Sequence, residues 1–94
     1  MANFIIIRPV HVLRGREEEA LRWAKSTEVV RRRHGMSHQW TVRNIIDPSE
    51  TLLIQVWESR EAYEAWRKSE EREKLVAERA RFIAYDPTRH FQEM

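Results

Sequence analysis

The stretch Phe4-Ile5-Ile6-Ile7-Arg8-Pro9-Val10-His11-Val12 carries apolar side chains at both parities of a strand. β-Branched residues dominate it, which suits a pleated backbone. Side chains alternate between the two faces of a strand, so apolar residues at both parities demand cover on both sides. The sequence therefore predicts a central strand over 4–12. Pro9 has no N–H to give to a ladder and predicts an irregularity at that point.

The remaining segments determine what can cover that strand. Gly15 ends it, and Glu17, Glu18 and Glu19 suit the positive end of a helix dipole. Ala20, Leu21, Trp23, Ala24, Thr27 and Val30 recur at helical spacing, Arg31-Arg32-Arg33 suits the negative end, and Gly35 suits the position after it. A helix is predicted from Arg16 to His34. Ser37 to Ile46 reads as a second strand, Asp47-Pro48-Ser49-Glu50 as a turn, and Thr51 to Trp57 as a third strand, the pair forming a hairpin. Ser59 is an N-cap, with Glu61 in the first turn of a second helix. Ser69-Glu70-Glu71 resembles another cap and predicts a bend or break there. Leu75, Val76, Ala80, Phe82 and Ile83 continue the helical stripe, Asp86-Pro87 ends it, and Thr88 to Gln92 reads as a last strand.

The order β-α-β-β-α-β predicts an α+β, ferredoxin-like fold: a four-stranded antiparallel sheet with both helices on one face. Residues 1–94 read as one domain. Two glycines and three prolines in 94 residues leave little for long loops. With the helices on one side, the other face of an apolar sheet would lie bare. A second copy is the economical cover, so a homodimer is expected.

Composition excludes several kinds of chemistry. Without cysteine there is no disulfide, thiol nucleophile, Cys-ligated zinc or iron–sulfur cluster. Seventeen basic and fifteen acidic residues give a net charge of only +2, which makes no general case for nucleic acid or an anionic membrane. No segment approaches the roughly 20 apolar residues of a membrane span, and the N-terminus lacks the features of a signal peptide, so a cytoplasmic location is expected by default. His11, His34, His38 and His90 have no metal-like spacing. The serines lack a nucleophile-elbow context, and no glycine-rich phosphate loop occurs. Arg31-Arg32-Arg33-His34 reads as a complement to the helix terminus.

Polar exceptions on apolar faces are the best pointers to a site. Arg8 shares its strand face with Phe4, Ile6, Val10 and Val12. An unpaired buried cation is costly, so Arg8 meets a carboxylate or a carbonyl, snorkels out to solvent, or holds an anionic or phenolate-like oxygen of a ligand. Asn44 and His38 share a face of the second strand with Trp40 and Val42 and offer polar contacts to the same ligand, unless that strand is a wet edge. Tyr63 and Trp66, three apart on a helix, form one aromatic face that either packs on the sheet or stacks on a flat ligand.

The segment Gln55-Val56-Trp57-Glu58-Ser59-Arg60-Glu61-Ala62-Tyr63-Glu64-Ala65-Trp66-Arg67-Lys68-Ser69 resembles the signature of the antibiotic biosynthesis monooxygenase (ABM) family. That signature is a strand ending in Trp-Glu-Ser, followed by a helix with spaced aromatics. Val12 to Glu18 is similar to the family's passage from strand to helix, and His34-Gly35-Met36 stands where its members often have Pro-Gly-Phe. The resemblance implies a dimeric α/β barrel with a cleft between helices and sheet in each protomer. It implies oxidation of an aromatic, polyketide-type or phenolic small molecule without cofactor or metal. Taken with the polar exceptions on the strand faces, it makes Arg8 and Trp66 the candidate catalytic residues and Tyr63, Asn44 and His38 the candidate substrate contacts. The haem-degrading branch has an Asn on the first strand and an iron-ligating His on the second helix. Those positions fall here on Arg8 and Val76, and only its Trp finds a counterpart, in Trp66. A non-catalytic binding or dimerisation module of the same fold, or haem held by His11, His38 or His90, are the alternative readings.

Overall fold

In a computed structural model, which describes residues 3–85 and 89–94, the first strand β1 (Phe4–Val12) lies inside the sheet. It is followed by α1 (Glu17–Arg33), β2 (Met36–Arg43), β3 (Thr51–Trp57), α2 (Arg60–Arg67), α3 (Glu70–Arg79), β4 (Ile83–Tyr85) and β5 (Arg89–Gln92). The sheet runs β2-β3-β1-β4, all antiparallel, and β5 also pairs with β1. This is the four-column ferredoxin-like arrangement, with the last column shared by two short strands. β4 pairs with Val10–Val12 and β5 with Phe4–Ile7. The pairing with β3 runs unbroken through Pro9↔Leu52. The irregularity expected at Pro9 thus appears on its other side, where the partner of β1 changes from β5 to β4.

Local signals set the element ends. Gly15 and Gly35 take positive φ of 82° and 107°, a region that costs other residues steric strain. A Cβ on Gly35 would also come within 3.1 Å of the Ala62 Cβ. The helix after Trp57 is broken as expected at Ser69. Its hydroxyl accepts the Arg72 N–H (3.2 Å) and donates to the Trp66 carbonyl (2.7 Å). The Ser59 hydroxyl accepts the Ala62 N–H at 3.1 Å in the same way. Two expectations need correction. The helical stripe stops at Arg79, and Ile83 belongs to β4, because its side chain packs into the sheet core with Val10, Ala20 and Leu53. The second strand ends at Arg43, not Ile46. Asp86, Pro87 and Thr88 lie outside the described residues.

Register assigns the faces. Phe4↔Trp57, Ile6↔Gln55 and Arg8↔Leu53 place these residues on the helix-covered side, with Met36 and Gln39 of β2 beside them. Phe4, Ile6, Met36, Trp57, Tyr63 and Trp66 form one buried cluster there. The opposite side carries Ile5, Ile7, Leu52, Ile54 and Val56, none of which reaches full burial, and Trp40, which is 49% exposed.

Candidate functional site

A cavity of about 260 Å³ opens between the helix-covered face of the sheet and helices α1 and α3. Its volume is near the lower end of ordinary ligand sites, about 300 Å³. Arg8 and Leu53 form part of its floor, and Trp23, Tyr63 and Trp66 contribute to its walls. A second hollow, about 280 Å³, lies against Arg8, Tyr63, Arg67, Arg72 and His90. Arg8, Tyr63 and Arg72 border both, so the two spaces share one wall.

The floor holds a buried polar chain. The Trp57 Nε1–H donates to Gln55 Oε1 (3.1 Å), Gln55 Nε2 donates to Gln39 Oε1 (3.0 Å), and Arg31 Nε donates to the same oxygen (3.0 Å). Arg31 Nη2 also donates to the Ala24 carbonyl at 3.1 Å, and the guanidinium lies 5.7 Å from the Trp23 ring centre. Gln55 is 4% and Arg31 6% exposed, and no buried side-chain nitrogen or oxygen among the described residues lacks a partner. Every link therefore has a defined direction, and Arg31 is held rigidly at the cavity wall.

The residues singled out from the sequence divide sharply. Arg8, Tyr63 and Trp66 come together at the cavity. Tyr63 and Trp66 are also core residues: Tyr63 lies 5.5 Å from the Phe4 ring and 5.3 Å from that of Trp57, while Trp66 lies 6.1 Å from Trp57 and 4.8 Å from His34. They pack on the sheet, and what remains exposed borders the cavity. His38 and Asn44 are not brought to the cavity. A register shift between Met36 and His38 turns His38 to the opposite face, where it stacks on Trp40 at 5.4 Å. Asn44 lies beyond the strand end. Its Oδ1 accepts the Ile46 and Asp47 N–H groups, and its Nδ2 donates to Glu50. It shapes the hairpin turn.

Arg31, Trp23 and Arg72 were missed as site residues, and His90 was weighed only as an alternative haem ligand. Arg31 read as one of four cations at a helix end, but each of the four has its own task. Arg32 pairs with Glu28 (2.8 Å), and Arg33 and His34 both meet Glu71, at 3.6 and 2.9 Å. Only Arg31 turns inward. The signal was its spacing, four residues after Thr27 on the stripe that also buries Ala20.

Val76, at the family's ligand position, lines the cavity and offers no lone pair to an iron. Of the three histidines weighed as alternative ligands, His11, paired with Ala84, and His38 lie on the far face of the sheet. His90 lies opposite Ile6 on the helix-covered face and borders the second hollow.

The family profile for antibiotic biosynthesis monooxygenase matches residues 4–78. No curated protein sequence matches significantly. Among solved structures, SnoaB of Streptomyces nogalater, described as a cofactor-independent oxygenase, is 13% identical, with a TM-score of 0.82 over 97% of this chain and 92% of that one. A candidate antibiotic biosynthesis monooxygenase of Bordetella bronchiseptica is 19% identical, with a TM-score of 0.80 over 100% and 97%. A conserved protein of Methanosarcina mazei Go1 is 9% identical, with a TM-score of 0.81 over 100% and 95%. At these identities the likeness concerns the fold.

Proposed function

The chain belongs to the antibiotic biosynthesis monooxygenase family, and from that premise we propose that it is a cofactor-independent oxygenase for an electron-rich aromatic small molecule. The observation that carries this reading is the cavity itself, in which Trp23, Tyr63 and Trp66 surround a space bordered by the guanidinium groups of Arg8 and Arg31. Aromatic walls suit a flat ring system, and fixed cations favour its enolate or phenolate over the neutral form. Such an anion can pass an electron to molecular oxygen. The balanced outcome is one oxygen atom joined to the substrate carbon as a carbonyl and the other released as water. In this proposal Arg8 faces the developing anion and Trp66 and Tyr63 confine the ring.

A homodimer is part of the same proposal, and the half-buried apolar face with Trp40 at its edge is the surface it would cover. No helix among the described residues is long and apolar enough to cross a membrane.

The test is aerobic turnover of a hydroxylated anthrone with no added metal or flavin. Oxygen uptake should match ketone formed one to one, and Arg8→Ala should slow the reaction at least about a hundredfold, the scale of losing one oxyanion-stabilising group. A rate equal to the buffer blank would overturn the oxygenase reading. An unchanged rate in Arg8→Ala would remove Arg8 from it. A filled, non-catalytic fold is less favoured: Trp66 does pack in the cluster with Phe4 and Ile6, but the cavity beside it is open.

A further inference from the structure

We infer that the hollow formed by Arg67, Arg72 and His90, with Arg8 and Tyr63, is a receiving site for a carboxylate substituent on the ligand whose rings occupy the aromatic cavity. The inference rests on the proposed aromatic-binding role and adds a ligand class: aromatic acids rather than neutral aromatics.

Three elements build the hollow. Arg67 is the last residue of α2, Arg72 lies in the first turn of α3, and the Ser69 cap fixes the corner between them. β1 contributes Arg8, and β5 contributes His90 opposite Ile6. No acidic residue lines the hollow among those described. Arg72 occupies a position its own helix disfavours, since the first turn presents partial positive charge and its other charged residues are Glu70, Glu71 and Glu73. Burial, above all, holds its guanidinium below its usual pKa. Tyr63 opposes that shift, while Arg8 and Arg67 add to it as like charges. An incoming anion would offset the like charges that bear on Arg72.

His90 supports the same reading. Burial is the largest influence lowering its pKa, followed by Arg67, with Glu64 acting against them and Arg8 and Arg60 adding to the lowering. The imidazole is therefore biased toward the neutral form, which can donate one hydrogen bond. Its ring is fixed edge-on to both Phe4 and Tyr63, at 5.5 Å each. Planar guanidinium groups are suited to paired hydrogen bonds with a carboxylate. Because Arg8, Tyr63 and Arg72 border both spaces, a carboxylate attached to the ring system can enter the hollow without leaving the cavity.

The test is calorimetric titration of the whole chain with three probes: anthraquinone-2-carboxylate, anthraquinone-2-carboxamide and cyclohexanecarboxylate. The aromatic acid should bind at least about tenfold tighter than its amide, the worth of one charge-assisted hydrogen bond. Arg67→Gln, at an exposed position that leaves the core intact, should shrink that ratio at least about fivefold by weakening the acid alone, and Arg72→Gln should do the same. Equal binding of acid and amide overturns the carboxylate site and leaves the aromatic reading standing. A ratio that survives both variants also overturns it. Cyclohexanecarboxylate binding as tightly as the aromatic acid, with no binding of the amide, supports the carboxylate site and removes the aromatic reading. Binding of none of the three overturns both.

Discussion

The two faces of the sheet are built from the same strands and differ in kind. The helix-covered face combines a buried aromatic cluster with a polar chain running from Trp57 through Gln55 and Gln39 to Arg31. The far face is mainly apolar, with His11 and His38 among its residues, and in the single protomer it is only half covered. A face that specifies directional hydrogen bonds can hold a particular ligand; a face offering mainly apolar area can bind whatever matches its shape, for which a second copy is the simplest candidate. The contrast teaches that one strand can serve two tasks through its alternation alone: Arg8 points into the cleft while Ile7 and Pro9 point away from it.

The contrast can be broken on either side. The largest effect belongs to Trp66→Ala. It should cost about 3–5 kcal/mol in urea unfolding, because a buried indole leaves a cavity that its neighbours do not refill. The corresponding truncation of Trp40, exposed in the protomer, should change unfolding far less and weaken self-association instead. Next is Ile54→Asp at the middle of the far face. An unpaired carboxylate buried between two apolar sheets should weaken dimerisation by at least about a hundredfold. Sedimentation equilibrium is the check, and a monomeric wild-type chain at micromolar concentration would dismiss the proposed interface altogether. Gln55→Leu should cost about 1–3 kcal/mol, since it strands the Trp57 Nε1–H without an acceptor. Calorimetric melting measures it, and a neutral result would mean that the chain does not stabilise the floor.

The smallest expected effect is a pH slope. Burial and Arg67 hold the His90 pKa below the ordinary 6.5, so on acidification the unfolded chain binds a proton first. Stability should be flat above about pH 6.5, fall from there toward the lower folded value and level off below it, with Arg8 and Arg60 deepening the loss and Glu64 moderating it. In His90→Asn that part of the slope, just below pH 6.5, should vanish. An identical slope in the variant would place the titration elsewhere.

Much of this was readable in the chain. The β-α-β-β-α-β order, the break at Ser69, the turn at Gly35 and the meeting of Arg8, Tyr63 and Trp66 follow from period, capping and parity, which are local properties. His38 and Asn44 were misplaced because a face is defined only relative to a neighbouring strand. The shift between Met36 and His38 changes which face every later residue of β2 presents, and no local pattern announces it. Ile83 was misassigned because a short apolar run suits either period, and only packing against Val10 decided for the strand.

The sequence by itself determined the elements, their order and the apolar nature of both sheet faces, because backbone propensity and side-chain alternation act over a few residues. Only the tertiary structure decided that Arg31 turns inward to Gln39, that Arg72 and His90 meet Arg8 around one hollow, and which face His38 occupies. Those outcomes depend on register and helix placement between segments far apart in the chain. They are settled by burial and hydrogen-bond satisfaction once the layers close.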